Sequence, residues 1–405
     1  MQSTYKKLGK YIREVNSRDT EKTIDLLLGV SIEKILKPSI ANTIGTDMST
    51  YKIVKRNQFA YGPVTSRNGD KISIALLQDY DEAIVSQAYT PFEIIDTREL
   101  LPEYLMMWFR RPEFDRYARF MSHGSAREIF GWEEMCGTEL PVPHPNKQIE
   151  IVKEYNTIVN RIKLNVQLCQ KLEETAQAIY KQWFVDFEFP DENGKPYKSS
   201  GGEMEESELG EIPKGWRVDK LGKHIESASK QHNFLKKELI FFNTSDILKG
   251  EFLHNNFSAV AEMPGQAKKK IQRGDILYSE IRPANKRFAL VRVDADDYVV
   301  STKLMVLRKI QNELSELRFY HYLTLDSFIE IIQQSAEGRS GTFPQITFEE
   351  DLINKPFVIA DKRIESKWET ILQAYYIQIH SRKEESRKLN EISSLLLSKL
   401  ATIEN

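Results

Sequence analysis

The second half of this sequence repeats the first at an offset of about 215 residues, and that duplication constrains the fold more than any other feature. Lys7-Leu8-Gly9-Lys10 returns as Lys220-Leu221-Gly222-Lys223, and Gly29-Val30-Ser31 as Asn243-Thr244-Ser245. Arg56-Asn57-Gln58-Phe59-Ala60-Tyr61 returns as Arg273-Gly274-Asp275-Ile276-Leu277-Tyr278. In the same order, Ile84-Val85-Ser86 matches Val299-Val300-Ser301, Trp132-Glu133-Glu134 matches Phe348-Glu349-Glu350, and Lys171-Leu172-Glu173-Glu174 matches Lys388-Leu389-Asn390-Glu391. Solenoid repeats run about 20 to 50 residues, so this spacing reads as a duplicated domain with an attached helix. Two diverged copies on one chain point to a target in two parts, each read by its own surface.

A chain of 405 residues has room for two or three domains, each with its own core. Apolar residues at 40% and charged residues at 29% are ordinary for a soluble protein, and no run of 18 apolar residues or leader-like segment occurs, so the sequence reads as cytoplasmic. Cys136 and Cys169 are the only cysteines, which argues against a disulfide framework or a cysteine zinc site. A net charge of -2 is low for a nucleic-acid binder acting alone, so basic residues must be concentrated locally or supplied by partners.

Each copy begins with short β-branched runs. Residues 71–77 and 83–94 flank the turn Gln78-Asp79-Tyr80-Asp81, and residues 288–293 and 298–307 flank Asp294-Ala295-Asp296-Asp297. Helical patterns follow near 102–121 and 313–334, with Leu105, Trp108 and Phe109 at helical spacing. Strands followed by helices predict two α+β modules.

Each copy then ends in a long helix. Ile151, Tyr155, Ile158, Ile162, Asn165, Cys169, Leu172, Ala176, Ile179 and Trp183 step by fours and threes, a coiled-coil seam in which the single polar residue, Asn165, is a register device. The last helix opens in the same phase with Ile364, Trp368, Ile371 and Tyr375 and closes with Leu389, Ile392 and Leu396. Its middle places Gln378, Arg382 and Glu385 on the seam, which predicts a stutter. The two helices are expected to pair antiparallel and hold the modules apart. The domain boundaries read as a first module at 1–148, a helix at 149–187, a linker or extended arm at 188–215, a second module at 216–362 and a second helix at 363–405.

The linker with Glu208-Leu209-Gly210-Glu211-Ile212-Pro213-Lys214-Gly215-Trp216, the stretch Gly274-Asp275-Ile276-Leu277-Tyr278-Ser279-Glu280-Ile281-Arg282-Pro283 and the two long helices resemble, over essentially the whole chain, the DNA-specificity subunit of bacterial type I restriction-modification enzymes. The resemblance implies two target recognition domains, each reading one half of an interrupted site on double-stranded DNA, and helices that set the gap and dock two methyltransferase subunits. It implies restriction and translocase subunits as further partners. S-adenosylmethionine would then sit on the methyltransferase and ATP with Mg on the restriction subunits, with no cofactor in this chain. One departure is visible: Lys147-Gln148 and Lys362-Arg363 stand where the family often has Glu-Gln after the exit of each module.

The sequence carries no glycine-rich cofactor loop, no Asn-Pro-Pro-Tyr/Phe motif and no phosphate loop. His123, His144, His224, His232, His254, His321 and His380 form no metal-like spacing, and no nucleophile triad is apparent. Pro190-Asp191 with Glu192 and Lys195 has the wrong spacing for a nuclease. A non-catalytic binder is therefore expected; a two-domain protein-interaction scaffold is the alternative, and a fused enzyme the third reading.

Candidate DNA contacts follow from side-chain chemistry, since Arg reads guanine, Asn or Gln adenine and carboxylates cytosine, while Ser, Thr and Lys hold phosphates. The first module presents Tyr61, Thr65, Ser66, Arg67 and Asn68, then Gly124, Ser125 and Arg127. The second presents Tyr278, Glu280, Arg282, Asn285, Lys286 and Arg287, then Arg339, Ser340 and Thr342. Lys268-Lys269-Lys270 reads as a solvated turn before a strand.

Overall fold

The computed structural model describes residues 5–39, 46–66, 68–69, 71–124, 127–310 and 313–403. Its α-helices are α1 (Pro102–Phe109), α2 (Pro112–Phe120), α3 (Trp132–Gly137), α4 (Pro145–Phe184), α5 (Glu316–Leu323), α6 (Asp326–Arg339) and α7 (Lys362–Lys399). The chain divides into two compact units, Met1–Gln167 with Arg382–Asn405, and Leu168–Ser381. Helices α4 and α7 each contribute to both.

In unit 1 an antiparallel sheet runs Ile12–Glu14, Thr90–Ile94, Phe59–Tyr61, Ile74–Leu76. A second sheet runs Leu36–Pro38, Leu27–Val30, Glu82–Val85, Lys52–Lys55, in which Leu27–Val30 and Glu82–Val85 are parallel. Tyr5–Lys7 pairs with Glu139–Pro141, the strand leading into α4. Unit 2 repeats this order strand for strand. Ile225–Ser227, Leu304–Lys309, Ile276–Ser279 and Phe288–Leu290 form one sheet; Phe257–Ala259, Glu238–Phe242, Tyr298–Ser301 and Ala267–Lys270 form the other, again with one parallel pair. Arg217–Lys220 pairs with Pro356–Ile359 before α7.

The sequence echoes mark places where the backbone allows little choice. A Cβ on Gly9 would stand 2.8 Å from Cys136 Cβ, and one on Gly222 2.9 Å from the Ile353 carbonyl, so each Leu-Gly-Lys turn needs glycine for close approach. Asn57 and Gly274 are both left-handed, at φ 67 and 91, and their amides donate to Leu77 and Val291 carbonyls across equivalent turns. Ser86 and Ser301 accept from the amide two residues on, at 3.4 and 3.2 Å, bending the chain.

That bend corrects two expected strands. Residues 83–94 divide into Glu82–Val85 and Thr90–Ile94, and 298–307 into Tyr298–Ser301 and Leu304–Lys309, with the halves in different sheets. The helix expected over 102–121 also breaks. Pro112 opens α2 and holds Arg111 extended at ψ 136, and Leu325 at ψ 134 separates α5 from α6. The segment 188–215 is folded rather than an extended arm. Met204–Ser207 and Gly210–Pro213 form a hairpin, and Phe189 stacks on Tyr197 at 4.5 Å and on Trp216 at 4.9 Å. Phe187, Phe189, Tyr197 and Trp216 supply apolar area that the Gly, Ser and charge content obscured.

The long helices pair antiparallel within each unit. In unit 1, Tyr155 shares a core with Leu397 and Leu400, while Arg161 clasps Glu385 at 2.7 Å. In unit 2, Cys169 meets the Ile379 carbonyl and Tyr180 meets Trp368. Along the α4 seam Asn165, Cys169 and Ala176 are buried, Ile158, Ile162, Leu172 and Ile179 are half-buried, and Tyr180, one residue past Ile179, is buried. Along α7 the seam is rotated by one residue. Leu372, Tyr376, Ser393 and Leu397 are buried, Ile371, Tyr375, Leu389 and Leu396 are half-buried, and Ile392 is exposed. In unit 2, α7 also faces α5: Tyr376 bonds His321, and Glu365 bonds Arg318. The polar middle holds Glu385 between Arg161 and Arg382, with Asn165 beside it, and these contacts lower its carboxyl to about 2.

The helix starts use different chemistry for the same job. Buried Gln148 accepts from the Leu101 amide and donates to the Glu99 and Pro143 carbonyls, each at 2.8 Å. Four residues into α7, Glu365 takes that place and accepts from the Ala360 amide and from Arg318. The counterpart of Gln148 is thus Glu365, not the Lys362-Arg363 pair. Likewise Tyr104 of α1 donates to the Pro141 carbonyl where Arg318 of α5 donates to that of Val358.

Candidate nucleic-acid interface

In each unit the two candidate loops come together at the end of one strand. In unit 1 the strand Phe59–Tyr61 runs on into Pro63, whose carbonyl accepts from the Phe130 amide at 2.8 Å. Val64 bridges Ile129, and the Thr65 amide donates to the Glu128 carbonyl at 3.0 Å. In unit 2 the Glu280 carbonyl accepts from Ile346 at 2.9 Å, Ile281 bridges Gln345, and the Arg282 amide donates to the Pro344 carbonyl at 3.0 Å. Bond for bond, Pro63-Val64-Thr65 and Glu280-Ile281-Arg282 occupy the same frame, with unrelated side chains.

The frame is pinned from behind. In unit 1, Lys34 is buried, donates to Asp115 Oδ1 at 2.6 Å and also reaches the Phe109 carbonyl. Burial lowers the pKa of its ammonium, and Asp115 opposes that shift. Asp115 Oδ1 also accepts from the Ile72 amide at 3.1 Å, at the base of the first loop. In unit 2, Gln333 of α6 accepts from the Ala284 amide at 2.9 Å, and Lys286 bonds Asp326 at 2.6 Å. Sequence reasoning missed Lys34, Asp115 and Gln333. Lys34 is left-handed, at φ 64, in the turn between Leu27–Val30 and Leu36–Pro38, a conformation with no mark in the sequence.

Several candidates belong to the scaffold. Tyr61 and Tyr278 are each 1% exposed, because they point into the core side of their strands; burial pushes both hydroxyls above their ordinary range. Thr65 is buried and bonds Ser122 Oγ at 2.8 Å. Arg287 donates to the Ser245 and Ile247 carbonyls, tying a neighbouring loop to the strand edge. Arg339 is held at 2.7 Å by buried Asp351, whose hydrogen bond raises the guanidinium pKa. Lys286 is engaged by Asp326, as above.

The surface left to a ligand is smaller. Ser66, Gly124 and Arg127 are exposed in unit 1, with Asn68 half-buried and its amide on the Val64 carbonyl. Gly124 is left-handed, and a Cβ there would meet the Arg127 carbonyl at 2.1 Å. Arg67 and Ser125 lie outside the described residues. In unit 2, Arg282, Asn285, Ser340 and Thr342 are exposed, Arg282 reaching the Thr342 carbonyl at 3.2 Å, and Glu280 is half-buried. Lys268-Lys269-Lys270 is not a turn but part of the edge strand Ala267–Lys270, which the Lys230 and His232 segment covers. No helix among the described residues is long and apolar enough to cross a membrane.

Comparison with known proteins gives these loops a context. Residues 213–391 match the family described as the type I restriction modification DNA specificity domain. The chain is 38% identical over 182 residues to the type I restriction enzyme HindI specificity subunit of Haemophilus influenzae, covering 45% of this chain and 39% of that one. It is 24% identical over 314 residues to the MjaIX specificity subunit of Methanocaldococcus jannaschii, covering 76% and 70%. The match thus spans well under half of the first relative's length. A crystal structure of the type I restriction-modification S subunit from M. genitalium shares the fold, with a TM-score of 0.54 at 12% identity over 99% of this chain and 96% of that one. Residues 213–391 are thus similar to the type I restriction modification DNA specificity domain, and the chain is similar over most of its length to the MjaIX specificity subunit.

Proposed function

We propose that this chain is the non-catalytic specificity subunit of a type I restriction-modification complex, each unit reading one half of an interrupted DNA site. The observation that carries this reading is the pair of equivalent loop frames. Identical backbone pairing holds Pro63-Val64-Thr65 with Arg127 nearby in one unit and Glu280-Ile281-Arg282 with Thr342 in the other. A duplicated reader that kept its frame and changed its side chains is suited to two different half-sites, because base edges are distinguished by side-chain donors and acceptors.

The same duplication supports two copies of one methyltransferase partner. Unit 1 has an apolar groove of about 420 Å³ lined by Trp108, Phe114 and Tyr117, and unit 2 one of about 500 Å³ lined at equivalent places by Tyr322, Phe328 and Ile331. Helices α4 and α7 set the gap between half-sites. Chemistry resides on the partners, with S-adenosylmethionine on the methyltransferases and ATP with Mg on restriction and translocase subunits, and the complex works on double-stranded DNA in the cytoplasm.

The test is methylation-site sequencing of a strain carrying the complete system. Arg127→Ala is expected to relax recognition in one half-site alone and Arg282→Ala in the other, each by about 1–3 kcal/mol of discrimination. A single substitution that altered both halves would overturn the division of labour.

A further inference from the structure

The geometry points to Glu280 as a base-reading residue that accepts a hydrogen bond from the exocyclic amino group of a cytosine in the half-site of unit 2; this rests on the reading of unit 2 as a DNA-binding module. Glu280 follows directly on the strand Ile276–Ser279, where the two loops converge, and its backbone is fixed on both sides. Its amide donates to the Lys303 carbonyl at 3.1 Å, and its carbonyl accepts from Ile346 at 2.9 Å.

Its side chain is 22% exposed and flanked by two ammonium groups, Lys303 Nζ at 3.6 Å and Lys269 Nζ at 4.0 Å. Both distances lie beyond hydrogen bonding. Lys269 is already committed to the Leu304 carbonyl at 2.8 Å. Among the described residues no donor reaches the carboxylate within bonding distance, so its acceptor capacity is open. A carboxylate facing DNA is repelled by phosphate, and the half-exposed Lys303 beside it offsets that repulsion and offers a phosphate contact of its own.

The choice of base follows from the acceptor-only character of the group. Within its own base, cytosine presents an N4 amino donor flanked by the C5–H, whereas adenine places the acceptor N7 next to its N6 amino group, against the second carboxylate oxygen. Guanine and thymine present acceptors there. Unit 1 has Pro63 at this position, with neither donor nor acceptor in its side chain, so its half-site lacks the corresponding contact.

The experiment compares the wild type with Glu280→Gln and Glu280→Ala in the complete complex, reading the methylated motif by sequencing. The wild type is expected to specify a cytosine in one half-site. Glu280→Ala relaxes that position roughly ten- to hundredfold, and Glu280→Gln moves it toward adenine, which an amide can bond at both N6 and N7. The other half-site is unchanged. A second arm leaves the protein intact: duplexes in which that cytosine is replaced by 2-pyrimidinone, which lacks the amino group, are expected to bind the wild-type complex about tenfold or more weakly. Full-strength binding of those duplexes, or a motif unchanged in both variants, overturns the assignment of Glu280. Absence of any two-part motif in the wild type overturns the DNA reading itself.

Discussion

His321 makes unit 2 sensitive to mild acid, and the size of the effect follows from its surroundings. Its ring lies 2% exposed in α5, Nδ1 facing Gln177 Oε1 at 2.6 Å and Nε2 facing the Tyr376 hydroxyl at 3.2 Å. Gln177 uses its amide nitrogen on the His321 carbonyl, so its oxygen accepts and Nδ1 carries the proton, leaving Nε2 to accept from Tyr376. Burial, aided by the Arg318 charge, depresses the pKa from 6.5 to about 3. Between those values the unfolded chain binds a proton that the folded one refuses, so stability falls as pH falls, starting near 6.5 and levelling out near 3. The slope is about 1.4 kcal/mol per pH unit, so acidifying from pH 7 to 5 costs about 2 kcal/mol through this residue. His232 is lowered by burial as well, so the comparison must be with a variant. Denaturant unfolding of wild type and His321→Gln at pH 7 and 5, followed by tryptophan fluorescence, reads the difference, since Trp368 lies edge-on to the ring. The variant is expected to lose about 2 kcal/mol less than wild type over that interval. Equal losses, or an imidazole signal titrating near 6.5 in the folded protein, would refute the reasoning.

Two further outcomes test the proposed assembly. Ile331→Arg, at the exposed rim of the unit 2 groove, is expected to lower co-purification of the methyltransferase from two copies to one while leaving the chain folded by circular dichroism; unchanged two-copy recovery would remove the groove from the partner interface. Inserting one heptad after Asn165 and another before Glu385 preserves the seam and lengthens each helix by about 10 Å, so the methylated motif is expected to gain about three base pairs of gap at 3.4 Å each, and an unchanged gap with undiminished methylation would show that the helices do not set it.

What the sequence made legible was whatever the backbone enforces. The Leu-Gly-Lys turns repeat because each glycine abuts another chain, and Asn57 and Gly274 because both are left-handed. Where α4 and α7 both meet α5, the buried positions pass to Tyr180 and Tyr376, since a sum of two contact directions has no single period. Strand periodicity could not reveal that Ser86 and Ser301 hand the chain from one sheet to another, since both halves are apolar and β-branched. Tyr61 and Tyr278 were read as surface groups because they adjoin the loops, yet they are anchored in the core beneath them.

The two units differ least in backbone pairing and most in what hangs from it. Gln148 and Glu365 secure the same helix start, one as a neutral amide and the other within an ion pair with buried Arg318. Removing one partner from a buried ion pair leaves an uncompensated charge and costs more than losing a neutral hydrogen bond, so unit 2 is the less tolerant copy at that point although its loop frame is the same. The frame at Pro63 and Glu280 is made of main-chain bonds between strand end and loop, which of all exchanges only proline at a donating amide removes. A recognition surface mounted on main-chain bonds can therefore change its side chains without refolding. That freedom ends at Thr65, Arg287 and Arg339, whose side chains tie the surface to the core and which must stay fixed while Arg127, Glu280 and Arg282 vary.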